Sequence, residues 1–116
     1  MRHGNTGRAL SRNSGSRLAL FRSLIKSFLI YGLIRTTLQK GKEVRKTLGR
    51  LFRRGQVDCV SNRRYVFSFL GDEECVSRLF QLAAKNTKEG FCFYRLFRCG
   101  FRKGDSAKMV YLKFYK

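Results

Sequence analysis

The sequence contains no proline or tryptophan, one histidine and few acidic residues. Seven aspartates and glutamates stand against 26 lysines and arginines, which leaves a net charge of +19 over 116 residues. Few carboxylates and a single histidine offer little material for acid–base catalysis or a metal site, and no Walker-type or dinucleotide glycine pattern is present. The composition predicts a protein that is not an enzyme, holds no metal or cofactor and takes no small-molecule substrate.

Long apolar runs are also missing. The stretch LALFRSLIKSFLIYGLI is interrupted by Arg22 and Lys26, and falls short of the ~20 apolar residues that span a membrane. The same charges argue against a signal-peptide core. Residues 1–42 contain no acid and are rich in arginine and serine, so an organellar presequence is an alternative. We interpret the region as part of the mature protein, because the small core needs its apolar side chains.

The four cysteines, Cys59, Cys75, Cys92 and Cys99, show no C-x-x-C spacing. Zinc ligands usually occur in short pairs, so this spacing does not favour a zinc site. Buried, reduced thiols in a non-oxidising compartment are the expectation.

The positive charge is concentrated in the first half of the chain. Residues 1–54 hold 14 lysines and arginines and a single acid, Glu43. Self-repulsion of this size opposes folding and predicts a polyanionic partner. Residues 1–16 bury too little apolar surface to offset the entropy of ordering them. We therefore predict a basic N-terminal extension over 1–16 that orders on its partner, and a single globular domain over 17–116.

Periodicity predicts the first elements of the domain. Apolar residues at three- and four-residue steps indicate a helix that begins at a Ser14 or Ser16 cap and ends at Gly32. The segment LIRTT indicates a strand over 33–36.

A second helix is predicted to begin at a Thr36–Gln39 capping box and to end at Gly55. Its apolar face is predicted to hold Val44, Leu48, Leu51 and Phe52. The opposite side is predicted to carry a stripe of cations, Lys42, Lys46, Arg50 and Arg53. The stripe has no acids to pair with, which favours a binding surface over a merely solvated face.

The segment VDCVSNRRYVFSFLG fits a helix by its length and final glycine, but YVFSF also alternates as a strand does. Asp72 is predicted to cap the next helix. FCFYRLFRC and AKMVYLKFY are predicted to be strands of one hairpin. The fold class is α+β, with a small mixed three-stranded sheet and helices packed on one face.

Arginine, glycine and aromatic residues in this combination suit RNA, because guanidinium groups bind phosphates and stack on bases. Phe91, Phe93 and Phe97 are predicted to be core residues, whereas Phe101 in the hairpin loop is a candidate for stacking.

The opening MRHGNTGRALSRNS resembles the MRH-x3-GR-x-L start of the bacterial-type large-subunit ribosomal protein number seventeen family. The resemblance continues through IRTTLQKGKEVR, NRRYVF, RLF and CGFRKGDSAKM in the family's order, and covers almost the whole chain. The chain departs from the family pattern at Gly4, Ala9, Ser16 and Lys108. The resemblance implies an α+β fold of order α-β-α-α-α-β-β, in which YVFSF is helical.

The resemblance also implies a structural constituent of the large ribosomal subunit that supports subunit assembly and translation. The implied partners are large-subunit rRNA and neighbouring large-subunit ribosomal proteins near the exit-tunnel region, with no membrane. The ribosome would be that of a bacterial cytoplasm or of an organelle of bacterial descent. The candidate RNA-binding residues are Arg2, His3, Arg8, Arg12, Arg17, Arg22, Lys40, Lys42, Lys46, Arg50, Arg53, Phe101, Arg102 and Lys103. A nucleoid-type DNA-binding protein is the main alternative, and a cationic membrane-surface protein that uses the first helix is another.

Overall fold

The computed structural model describes residues 3–85 and 94–114. Within these ranges the chain forms α1 (Ser14–Tyr31), β1 (Leu33–Thr37), α2 (Leu38–Gly55), α3 (Val60–Leu70), α4 (Glu73–Lys85), β2 (Tyr94–Phe101) and β3 (Lys108–Phe114). This is the predicted α+β order.

The N-cap of helix α1 lies one residue before Ser14 and three before Ser16, the two predicted caps. Asn13 is the N-cap, and its Oδ1 accepts a hydrogen bond of 2.9 Å from the backbone N–H of Ser16. A short amide side chain in extended backbone satisfies this orphan N–H well. The predicted stop is confirmed: Gly32 is left-handed, at φ 73°, and its N–H donates to the carbonyl of Phe28 over 2.8 Å.

The predicted capping box of α2 is wrong. Thr36 belongs to β1, where its side chain is buried, and the N-cap is Thr37, which makes no side-chain capping bond. A buried strand position prevents Thr36 from turning its hydroxyl toward a helix end. The predicted apolar face is confirmed, because Val44, Leu48, Leu51 and Phe52 are all buried.

Helices α3 and α4 follow the predicted pattern. The ambiguous YVFSF lies inside α3, whose buried residues are Val66 and Leu70. The buried residues of this segment are four positions apart, which is the spacing of one helical turn and not the two-residue alternation of a strand. Asp72 caps α4, with Oδ1 accepting from the N–H of Glu74 at 3.0 Å.

The sheet has the order β1-β3-β2, and both pairings are antiparallel. The prediction of a mixed sheet is therefore wrong in this detail. The hairpin makes β2 and β3 antiparallel, and β1 pairs with the free edge of β3 in the opposite direction, so the two parallel strands β1 and β2 never touch. Phe91 and Phe93 lie outside the described residues.

The core lies between the helices and one face of the sheet. The strands contribute the buried residues Ile34, Val110 and Leu112 to it. Aromatic rings join the layers: Phe28 lies 4.5 Å from Phe114, and Phe52 stacks on Tyr94 at 5.5 Å between centroids. Phe97, predicted to be core, is only partly buried and lies outside this cluster. It pairs with Tyr111, which puts it on the opposite side of the sheet from Leu112.

Close approach at Gly41 brings α2 onto the sheet. A Cβ at this position would lie 2.8 Å from Cγ2 of Val110 and 3.1 Å from Cδ2 of Leu96. Only glycine leaves room for the sheet there. Helix α2 contacts each of the other six elements. Packing on all of them therefore fixes the position of its outward face.

Candidate nucleic-acid interface

The outward face of α2 carries the predicted cationic stripe. Lys42, Lys46, Arg50 and Arg53 are all exposed. They line an open groove of about 580 Å³ together with Arg45, Gly49 and Tyr94. The helical spacing of the stripe is confirmed by this arrangement. Lys40 is only partly exposed and is not among the residues that line the groove.

Arg45 was missing from the predicted set. It stands three residues after Lys42, nearly one helical turn, and that spacing was the available signal. It adds a fifth cation to the groove, which we name the α2 groove.

Residues 3–13 form turns rather than an extended strand. The N–H of Arg12 donates to the carbonyl of Ala9 at 3.1 Å. Arg17 at the start of α1 donates to the carbonyls of Ala9 and Arg12, at 3.4 and 3.1 Å. Leu10 and Ser11 have positive φ, near 54° and 53°. Such backbone is costly for these residue types, and the Arg17 bonds help to hold it. Arg2 lies outside the described residues.

Glu43 fastens this N-terminal segment to α2. Its carboxylate is almost fully buried, with the side chain 7% exposed. Oε1 accepts from Nη1 of Arg8 at 2.9 Å and from Nζ of Lys46 at 3.1 Å. The single acid of the first 54 residues therefore joins the two cationic regions, a role that its isolation in the sequence could have signalled. The expectation that the stripe has no acid to pair with is wrong at Lys46, because the preceding turn of α2 places Glu43 beside it.

The N-terminal segment and the α2 groove form one surface. A second cavity, of about 350 Å³, is lined by Thr6, Gly7, Arg8, Arg17 and Phe21 from the N-terminal side and by Glu43, Lys46, Thr47 and Arg50 from α2. Lys46 and Arg50 line both cavities. His3 and Arg12 are exposed on the same N-terminal segment.

Arg22 and Arg102 also have internal partners, as Arg8 and Arg17 do among the predicted RNA-binding arginines. Nε of Arg22 donates to the carbonyl of Phe69 at 2.6 Å, which joins α1 to the end of α3. Arg102 makes a two-pronged ion pair with Asp105, at 2.9 and 2.6 Å. The hydrogen bond from Arg102 lowers the pKa of Asp105 to about 2, and the same bond raises the pKa of Arg102. The pair closes the hairpin loop, in which Lys103 is exposed. Phe101 is exposed too, but it is the last residue of β2 and pairs with Lys108, so its predicted place in the loop is wrong.

Other kinds of site find no support in the part of the chain that the structure describes. Residues 3–85 and 94–114 contain no cluster of metal-ligating side chains. Cys59, Cys75 and Cys99 are free thiols, of which Cys75 is buried; Cys92 lies outside these ranges. No described helix combines the length and apolarity of a membrane span.

A small α+β domain with a continuous cationic surface is typical of basic proteins that bind polyanions. Comparison with known proteins narrows this class. The family model described as ribosomal protein L17 matches residues 20–115. The large ribosomal subunit protein bL17 of Wigglesworthia glossinidia brevipalpis is 40% identical over 115 residues, which cover 98% of this chain and 94% of that protein. The chain therefore belongs to the ribosomal protein L17 family, as the sequence motifs predicted.

Members of this family are structural rather than catalytic proteins of the large ribosomal subunit. The assignment confirms the resemblance and places the chain among ribonucleoprotein components of the translation machinery. It also favours the ribosomal reading over the nucleoid-type and membrane-surface alternatives.

Proposed function

We propose that this protein binds large-subunit rRNA through its N-terminal segment and the α2 groove, and that it supports assembly of the subunit in this way. The observation that carries the proposal is the junction at Lys46 and Arg50, which line both cavities. Two cationic regions far apart in sequence thus present one track for a phosphate backbone. Contacts of this kind position RNA by its shape and phosphates rather than its bases.

The candidate residues divide into two roles in this proposal. Lys42, Lys46 and Arg50 are exposed on the groove and contact phosphates directly. Lys46 keeps its bond to Glu43 and uses its remaining N–H groups for this contact. Arg17 and Arg22 are occupied by backbone carbonyls, so they act mainly by holding the N-terminal segment and α1 in place. A guanidinium with remaining N–H groups can still donate one of them to a phosphate.

The surface formed by α3, α4 and their flanking residues suits a protein neighbour. It carries four of the six acids within the described ranges, Asp58, Asp72, Glu73 and Glu74. Val60 and Phe67 are 64% and 45% exposed beside a cavity of about 370 Å³ between these helices. Acids repel phosphate, and exposed apolar side chains favour protein contacts. We place neighbouring large-subunit proteins, near the exit-tunnel region, on this side.

The localisation follows from the same proposal. The protein works in the ribosome, in a bacterial cytoplasm or in an organelle of bacterial descent. The RNA partner neutralises the excess positive charge.

The experiment compares two double variants of equal charge. Lys46→Ala with Arg50→Ala removes the junction, and Arg64→Ala with Lys85→Ala removes two exposed cations from α3 and α4. Binding of the full chain to large-subunit rRNA is measured over a range of salt concentrations. The junction variant is expected to bind more weakly and to reduce the slope of log K against log salt by about 2.

The α3–α4 control is expected to keep the parent's slope. Equal slopes for the two variants would contradict a defined phosphate track. Incorporation of each variant into large subunits, followed by sedimentation, tests the role in assembly.

A further inference from the structure

The sheet has a second face, on which the residues around Tyr111 are exposed or partly exposed within the described part of the chain. The register places Arg35, Tyr111 and Phe97 side by side across the three strands, and Leu33, Lys113 and Arg95 in the next row. Paired residues of antiparallel strands point to the same side, and these six point away from buried Ile34 and Leu112. We call them the outer sheet face.

The outer sheet face combines two aromatic rings with three cations. Tyr111 and Phe97 are directly opposite each other in the register and are partly exposed. Arg35, Arg95 and Lys113 are exposed around them. Nζ of Lys113 lies 4.7 Å from the centroid of the Phe97 ring. A cation over an aromatic face is a favourable contact, and it leaves the charge beside the ring.

Cross-strand aromatic pairs also stabilise sheets without any ligand. The charge of the strands distinguishes the two roles. The three strands contain five cations and no acid, whereas α3, α4 and their flanks hold most of the acids. An aromatic pair that only stabilises the sheet does not require neighbours that are all cationic. The cations around the rings are complementary to phosphate, and the faces of the rings are complementary to bases.

We propose that the outer sheet face binds unpaired nucleotides of folded RNA, with bases stacked on Tyr111 and Phe97 and the flanking phosphates held by Arg35 and Lys113. The inference rests on the proposed function, but it assigns a different site and a different kind of RNA. The α2 groove follows phosphates, and α2 packs on the inner face of the sheet. The outer sheet face selects unstacked bases outside RNA duplexes, because only such bases have a face free to stack on an aromatic ring.

The test uses the full chain and short RNA probes. A single-stranded oligonucleotide with a central 2-aminopurine reports stacking by loss of fluorescence, and a duplex of the same length reports phosphate binding. Phe97→Leu with Tyr111→Leu removes both rings but keeps apolar side chains. Because stacking on an aromatic ring contributes substantially per base, we expect about 5- to 30-fold weaker binding of the single strand. Binding of the duplex is expected to stay within about two-fold of the parent's.

The conservative variant Tyr111→Phe keeps the ring and is expected to bind as the parent does. Circular dichroism of each variant establishes that it is folded. Unchanged single-strand binding by the double leucine variant would overturn the proposal.

In assembled subunits, a benzophenone amino acid at position 97 is expected to crosslink to rRNA. A crosslink to protein alone would also overturn it. The junction variant at Lys46 and Arg50 separates the two proposals, because it weakens duplex binding while leaving 2-aminopurine quenching in place.

Discussion

The ion pair between Arg8 and Glu43 offers a direct measure of how firmly the N-terminal segment is held. Glu43→Gln keeps the size of the side chain and removes its charge, so Arg8 and Lys46 lose a carboxylate at 2.9 and 3.1 Å. A neutral amide accepts hydrogen bonds more weakly than a carboxylate does. The variant should therefore loosen the segment and lower the stability of the domain.

The structure sets the size of the effect. Hydrogen bonds to charged groups contribute about 1.5–3 kcal/mol, and exposed ion pairs only about 0.2–1 kcal/mol. Glu43 is 7% exposed, but its partners Arg8 and Lys46 are 43% and 61% exposed. We expect an intermediate loss of about 1–2 kcal/mol in the free energy of unfolding, which corresponds to a fall of roughly 4–8 °C in Tm.

The assay is urea unfolding of the full chain at neutral pH and low salt, followed by circular dichroism. Glu43→Gln, Arg8→Ala and the double variant form a cycle, with an expected coupling energy of about 0.5–1 kcal/mol. The matched control is Glu74→Gln, whose carboxylate is 70% exposed and pairs with Arg78 at 3.1 Å. That variant is expected to change stability by less than about 0.5 kcal/mol. A coupling energy of zero, or equal losses for the two glutamates, would refute the anchoring role of Glu43.

Two further predictions concern the core and the hairpin. Gly41→Ala places a Cβ 2.8 Å from Cγ2 of Val110, whose β-branched side chain cannot easily turn away. After subtracting the gain in helix propensity, we expect the free energy of unfolding in urea to fall by about 1–2 kcal/mol. The control Gly104→Ala is expected to show no comparable loss, because its added Cβ meets open space. Asp105 has a pKa lowered from 3.8 to about 2 by Arg102. The stability that this loop ion pair contributes is therefore fully present above pH 3.8 and is lost as the pH falls through about 2. An NMR titration of the Asp105 carboxyl that gives an ordinary midpoint would contradict this pairing.

Much of the fold was predictable because local signals agreed with the core. The buried stripe of α2 has helical spacing, and Gly32 and Asp72 stand where a helix end and a helix start need them. The mixed sheet was wrong because strand direction depends on which edge of the hairpin β1 joins, and no local pattern records that choice. Thr36 failed as a cap for a similar reason, since its burial by the rest of the fold decided its role.

The site was predictable in its charges but not in its pairing. The spacing of Lys42, Lys46 and Arg50 placed them on one face of α2. The partners of Arg22 and Arg8 are 47 and 35 residues away, so their positioning roles could be found only from the fold. Phe97 was assigned to the core because a hydrophobic ring in a strand usually is buried. Its place on the outer sheet face could be found only from the register of the strands.

Helix α2 touches every other described element and also bears the cationic groove. A ligand that binds this helix and not the unfolded chain raises the stability of the entire domain by mass action. A newly made copy without RNA bears the full repulsion among its lysines and arginines, so it opens more readily to proteases than a copy already on the ribosome. On the proposed function, surplus copies are the ones most exposed to degradation, and the abundance of the protein follows the supply of its RNA.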